Sequence, residues 1–369
     1  MSLGPGFTTD AMSEVFSDAV RVQWFCRFEA ELAAAQAEVG LLPGEVAAAI
    51  AATCQQQVDD PAGLLATGEE NGSAILAVLD QLRAGLDTES AGWVHCGATT
   101  QDVVDTATML QVRQGFDILR VPLATMAERL AELADVHRDT TVMGRTFLQD
   151  ARVTTFGAKA ARWLSGVLDH IQRMADLDGR LPLQLGGPVG DGASYGHQWP
   201  EIAAQMASRL GLIVPVAPWH TDRRVVAEIA AVVGAVASTM AKIGVDVALL
   251  AQTGEVRVRP GRSSSMPDKR NPIDSIRAVA AGRVCASAVT GLLSAPPPEL
   301  ERSLGGWHAE GALLPIAFQA AAAAVAAMHA GLASLEVDKA RMADKAGSAT
   351  PDTDALIDAV LAAYRNVVG

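Results

Sequence analysis

Aromatic side chains are scarce, at 4% of 369 residues with only two tyrosines, and charged residues reach only 19%. What charge there is leans acidic: 42 Asp and Glu against 29 Lys and Arg give a net charge of −13. An acidic chain repels phosphate backbones and anionic lipid, so nucleic acid and membrane surfaces are excluded as expected partners. An anionic small molecule is not excluded, because a site can be locally basic. Four cysteines, Cys26, Cys54, Cys96 and Cys285, fit neither a C-x-x-C pair nor a disulfide framework and read as buried thiols in a reducing compartment. The chain lacks H-E-x-x-H, paired cysteines and a P-loop, so neither metal nor organic cofactor is expected. No N-terminal stretch combines basic residues, an apolar core and a cleavage site. The apolar runs are alanine-rich and broken by charges, so no membrane span is read and a cytoplasmic protein is expected.

Hydrophobic residues are plentiful, at 50%. Alanine has the best helix propensity and lets helices approach closely, so this composition points to packed helices around a large core. Apolar residues recur at helical spacing from residue 10 to 40, where Val22, Phe25, Phe28 and Leu32 share a face. The same spacing predicts long helices near 102–137, 154–176, 222–252, 271–293 and 309–335. These five, each roughly 22 to 35 residues, exceed the usual globular helix of about 11–12 and read as a bundle core or subunit interface. Strand signals are few. The fold class expected is all-α, a long-helix bundle, with residues 1–94 as an N-terminal helical domain, 95–335 as the bundle and 336–369 as a short C-terminal segment.

Three polar islands interrupt this pattern at helix ends. The first, around His95, Thr99, Thr100, Gln101 and Asp102, sits where free N–H groups favour anions, and Thr99-x-x-Asp102 has the form of a capping box. Taken alone, the island reads first as plain capping. The second, Gly144–Gly157, carries Arg145, Thr146, Gln149 and Asp150, and alone is no more than a solvated helix entry. The third, "GRSSSMPDKRNP" from Gly261 to Pro272, places Lys269 beside Asn271, which reads as an N-cap followed by proline at the first helical position. A passive linker has no need of Met-Pro, Lys and Asn-Pro in that order.

"SSSMPDKRNP" resembles the GSSxMPxKxNP loop of the fumarase/aspartase superfamily. "TTQDVVDTA" (Thr99–Ala107) and "GRTFLQDA" (Gly144–Ala151) resemble its other two signature regions, in the family's order. Within the superfamily, "HCGATTQDVVDTATMLQVR", "PWHTDRR" and "ERSLGGWHAE" resemble the branch of bacterial 3-carboxy-cis,cis-muconate cycloisomerases. The resemblance implies a homotetramer with a central helical bundle, each active site being built by the three regions from three subunits. It also implies a small polycarboxylate substrate and proton transfer at the carbon α to a carboxylate, without a cofactor. By the same resemblance Ser263 is the loop serine that handles the proton, and Lys269 stabilises its alkoxide. His95, Arg270 and Arg302 are then candidate partners for substrate carboxylates, with Thr99, Thr100, Gln101, Thr146, Gln149 and Asn271 as neutral donors. The reaction implied interconverts 3-carboxy-cis,cis-muconate and a carboxymuconolactone in protocatechuate catabolism. A lyase releasing fumarate from a substituted succinate and an inactive structural relative are the alternatives.

The sequence departs from the family at Arg262, which replaces the glycine before the serines, and at Asp268, Phe147 and Asp150, where relatives often carry histidine. Phe147 removes the acid of fumarase and adenylosuccinate lyase, which weighs against the lyase alternative.

Overall fold

The computed structural model describes residues 3–266, 268–294, 298–347, 349 and 351–368. All five long helices expected from periodicity form, with ends within three residues of expectation. Ahead of them, the expected helix over 10–40 is divided into α1 (Asp10–Val15) and α2 (Asp18–Glu38). The break falls where the Ser17 side chain accepts from Val20 N and starts a new helix. Four shorter helices follow, α3 (Gly44–Cys54), α4 (Pro61–Glu70), α5 (Ile75–Ala84) and α6 (Thr88–Trp93).

The first long helix, α7 (Thr100–Val136), ends against a hairpin of β1 (Thr141–Thr146) and β2 (Gln149–Thr155). The chain then enters α8 (Phe156–Asp178), crosses a glycine-rich segment, and forms α9 (Trp199–Leu210) and α10 (Arg224–Gln252). Three strands of two residues each, β3 (Val256–Arg257), β4 (Pro260–Gly261) and β5 (Asn271–Pro272), precede α11 (Ile273–Leu293) and α12 (Gly306–Ala333). A last strand, β6 (Glu336–Val337), pairs with β3, and α13 (Lys339–Ala346) and α14 (Asp354–Val367) complete the described chain.

Helices α10, α11 and α12 pack on one another, and α7 lies against α8 and α12. Small residues permit this. A Cβ on Gly282 of α11 would sit 2.9 Å from the Ala241 Cβ of α10, so the glycine sets how closely the two helices approach. Where bulk is needed, Phe318 of α12 lies between Phe16 and Phe116, with ring centroids 5.4 and 5.6 Å away. Such tilted pairs contribute about 0.5–1.5 kcal/mol beyond their buried area. Three helices among the described residues, α10, α11 and α12, are long and apolar enough by length and composition to cross a membrane, and 44%, 33% and 67% of their most apolar windows is buried.

One expectation fails at the third island. Asn271 is not an N-cap and Pro272 is not the first helical residue, because Gly261 pairs with Asn271 and Pro260 with Pro272 in a two-residue ladder. That pairing holds the backbone of Asn271 extended, so α11 begins at Ile273 with no side-chain cap. Asp274 in its first turn is held instead by Arg259, whose Nε donates to Oδ2 at 3.2 Å.

The start of α8 tests how tightly the second island is fixed. Gly157 N donates to His137 O at 2.9 Å, and a Cβ on Gly157 would fall 2.5 Å from Ala134 O and 2.8 Å from Arg138 Cα. Both obstacles are backbone, so Gly157→Ala is expected to cost about 1–3 kcal/mol despite alanine's better helix propensity. Urea unfolding of the variant beside the wild type measures the loss.

Candidate active site

The first island is organised around one carboxylate. Asp102, at the third position of α7, is fully buried and accepts from Thr99 N at 3.0 Å, from Gly186 N and Gly187 N at 2.9 Å each, and from His220 Nε2 at 2.7 Å. The expected capping box is present, with Asp102 supplying its carboxylate half. The helix dipole adds to the attraction, since the negative charge sits in the first turn. The start of α7 is thereby tied to the glycine-rich segment and to Pro218–Arg224.

One turn on, Asp105 collects a second set of donors. Gln101 Nε2 reaches it at 3.1 Å, Gln184 Nε2 at 3.2 Å, Trp307 Nε1 at 2.9 Å, and Arg223 by two bonds of 2.7 and 2.9 Å. Arg223 also pairs with Glu310 of α12. Two carboxylates therefore share one guanidinium. Burial works against the charge of Arg223, but Asp105 and Glu310 together hold its pKa above the ordinary value. Burial pushes the Glu310 carboxyl above the usual range, since Arg223 cannot fully offset it and the charge of Asp105 adds to the rise.

The candidate residues of this region lie on the same frame. Gln101 is buried, donates to His220 O at 2.9 Å, and accepts from Arg302 Nη1 at 3.0 Å. Arg302 also donates to Pro188 O at 2.7 Å, so its guanidinium braces the glycine-rich segment against α7. Thr100 accepts from the Ser73 hydroxyl at 3.3 Å and opens on a cavity lined by Ser73, Arg223, Trp307, His308 and Glu310. His95 precedes them in a left-handed conformation, φ 65°, with Nδ1 2.7 Å from the buried Glu29 Oε1.

The other candidates stand apart from this frame. Thr146 and Gln149 face each other at the tip of the β1–β2 hairpin and flank Phe147 and Leu148. The base of this hairpin is fixed by Arg145, which donates to both oxygens of the fully buried Glu255 at 2.9 Å. Burial raises the Glu255 carboxyl, but Arg145 and Thr253 outweigh it and hold the group below its usual range. Ser263, Lys269, Arg270 and Asn271 lie on the third island, whose neck is the β4–β5 ladder; Pro267 is outside the described residues. Ser263 Oγ accepts from Met266 N at 3.1 Å, and Lys269 N donates to Met266 O. Lys269 and Arg270 are exposed and form no salt bridge among the described residues. No hydrogen bond among the described residues links the hairpin tip or this loop to the α7 terminus.

With the geometry in view, three comparisons bear on the chain. A family model described as lyase matches residues 6–291. The 3-carboxy-cis,cis-muconate cycloisomerase of Pseudomonas aeruginosa is 41% identical over 346 residues, which cover 91% of this chain and 75% of that protein. The crystal structure of the 3-carboxy-cis,cis-muconate lactonizing enzyme from Pseudomonas putida aligns with a TM-score of 0.86 at 38% identity, over 93% of this chain and 78% of that one. The chain belongs to the lyase family. It is an enzyme of the fumarase/aspartase superfamily, and its long-helix architecture is the one expected. A fumarate lyase from Mesorhizobium sp. BNC1 aligns equally well, with a TM-score of 0.86 at 31% identity over 100% of this chain and 88% of that one.

Sequence reasoning missed Asp105, Arg223 and Glu310 as a unit. "PWHTDRR" and "ERSLGGWHAE" were visible as segments, but nothing local says that Arg223 turns inward while Arg224 pairs with Asp222 at the surface. Arg223→Met would leave the buried Asp105 and the partly buried Glu310 without their cation, and is expected to cost about 3–5 kcal/mol at neutral pH. Glu310 adds a pH signature. Its folded pKa lies above the ordinary 4.5, so the folded state binds a proton more tightly than the unfolded one. That contribution is present at low pH and lost as pH rises through the raised value. Stability of Glu310→Gln relative to wild type should therefore improve as pH rises from about 4.5 toward neutrality, which urea unfolding at a series of pH values measures.

Proposed function

We propose that this enzyme interconverts 3-carboxy-cis,cis-muconate and a carboxymuconolactone in aromatic catabolism. The observation that carries the reading is the loop from Gly261 to Asn271: a serine-rich segment with Lys269 and Arg270 exposed, held at its neck by a ladder and by Arg259 on Asp274. Relatives that share most of the chain carry the same activity in their names.

In this reading a substrate carboxylate oxygen adds across the conjugated double bond and the lactone forms. Ser263 delivers a proton to the adjacent carbon, and removes it in reverse. The carbon acid is weak, so the enediolate-like charge needs preorganised donors. The N-terminus of α7 with Thr99 and Thr100 offers these, and Lys269 supplies a cation beside Ser263. His95, Arg270, Asn271, Thr146 and Gln149 bind the substrate's carboxylates. Gln101 and Arg302 act from behind, as each is committed to the other.

A homotetramer brings the separated candidates together. Phe147 is 98% exposed and Leu148 69% exposed, at a turn where both have positive φ. A hairpin tip that needed only to turn would carry Asn-Gly; two bulky apolar residues there suit insertion into a second copy. Much of the apolar surface of α10 and α11 is likewise uncovered in one chain. The assembly is cytoplasmic, with these helix faces buried between subunits.

The test follows the diene absorbance of 3-carboxy-cis,cis-muconate with wild type and with Ser263→Ala. Wild type should bleach the band, and the variant should be slower by about 10²–10⁴-fold, the usual worth of a positioned proton donor. An inactive but tetrameric wild type would shift the assignment to a substituted-succinate lyase. Light scattering should give four chains per particle, and Phe147→Asp should lower both particle mass and turnover; a stable, active monomer would defeat the shared site.

A further inference from the structure

The ring of His95 is held by a residue outside all three islands. Helix α2 turns a buried face of Phe25, Phe28, Leu32 and Ala33 to the core, and among its buried polar side chains are Glu29 and Gln36. Seven residues apart, they lie on the same face two turns from each other. Both reach the same short segment: Glu29 Oε1 lies 2.7 Å from His95 Nδ1, and Gln36 Nε2 donates to Cys96 O at 2.9 Å. On the other side, Gly97 has φ 81° and lies so close to Tyr195 that a Cβ would meet the ring at 2.5 Å. The segment from His95 to Gly97 is clamped between α2 and Tyr195, which is how a non-glycine residue is kept at φ 65°.

Glu29 is 1% exposed, and its second oxygen is buried with no hydrogen-bond partner among the described residues. The same holds for Gln36 Oε1 and the Tyr195 hydroxyl. A carboxylate buried with a single partner is costly, and an apolar residue of similar volume would serve packing better. Its hydrogen bond does what packing cannot: with Nδ1–H donated to Glu29 the plane of the ring is fixed, and Nε2, which has no partner among the described residues, is the nitrogen left to face a ligand, as a donor when the ring carries its second proton.

We propose that Glu29 is a positioning residue that acts through His95, engaging Nδ1–H so that Nε2–H of the imidazolium is the donor that meets a substrate carboxylate. The inference rests on the reading of His95 as a substrate contact. Strained backbone, buried carboxylate and clamped elbow then have one purpose: to aim one nitrogen from a segment that would otherwise relax.

The test separates this from a packing role. With 3-carboxy-cis,cis-muconate, Glu29→Met should lower kcat/KM by about tenfold or more, chiefly through KM. Glu29→Gln, which keeps an accepting oxygen, should recover most of it. On a His95→Asn background, Glu29→Met should change kcat/KM by less than about twofold, because the pathway of its effect is gone. Equal losses on both backgrounds, or no loss on either, would overturn the proposal. A crystal structure of Glu29→Met needs no substrate: a displaced or split His95 ring in an intact fold supports positioning, and an unmoved ring overturns it. If Glu29→Met proves poorly folded, Glu29→Leu gives the same two readings. Wild type that leaves the muconate untouched defeats the functional assignment alone, and the ring position then decides the role of Glu29.

Discussion

A buried carboxylate at the mouth of the longest helix fixes most of what matters here. Asp102 satisfies the backbone of Thr99, two glycine amides of the 185–192 segment and a histidine from the 218–224 segment. Aspartate suits the place because its short side chain can cap its own helix and still present a second oxygen across the gap. Removing the carboxylate would release three pieces of chain at once. Thr99 and Thr100, the residues proposed to meet a substrate, are neighbours of this anchor and take their positions from it.

Beneath Asp102 lies a network that is unbalanced by design of charge: Asp105 and Glu310 around a single Arg223. It joins α7 to the starts of α10 and α12, while Trp307 and Gln184 close it with neutral donors. The excess negative charge keeps the guanidinium ionised and, with burial, leaves the Glu310 carboxyl above its usual range. Fold and site are one structure in this region, since the groups that hold three helix ends together also form the wall behind Thr100. Arg145 and Glu255 repeat the arrangement in simpler form beneath the hairpin.

The long helices were legible because apolar periodicity persists over many turns, and each formed close to where it was expected. The capping box at Thr99–Asp102 was legible because its signal is local. Asn271 was misread for the opposite reason: Asn-Pro is a local cue for a helix start, and a long-range pairing with Gly261 overrode it. The inward turn of Arg223 could not be read at all, as its partners lie 118 and 87 residues away with no pattern to mark them. Single-chain sequence also gave no sign that Arg302 would be occupied by Gln101 and Pro188 rather than free. The islands announced themselves as polar interruptions, but their separation in space within one chain was not written in any of them.

The neck of the serine-rich loop has proline on both strands, Pro260 opposite Pro272. Neither residue can donate to a ladder, and each has a fixed φ, so the pairing cannot lengthen outward at that point. With Arg259 fastened to Asp274 just outside, the neck is a collar that stops movement in either direction. The two ends of the loop are thereby held side by side, whatever conformation the residues between them take. Substitutions in the helices that leave this collar intact keep the ends of the loop at the same spacing, so the bundle can gain stability without altering where the proposed proton-handling segment is anchored.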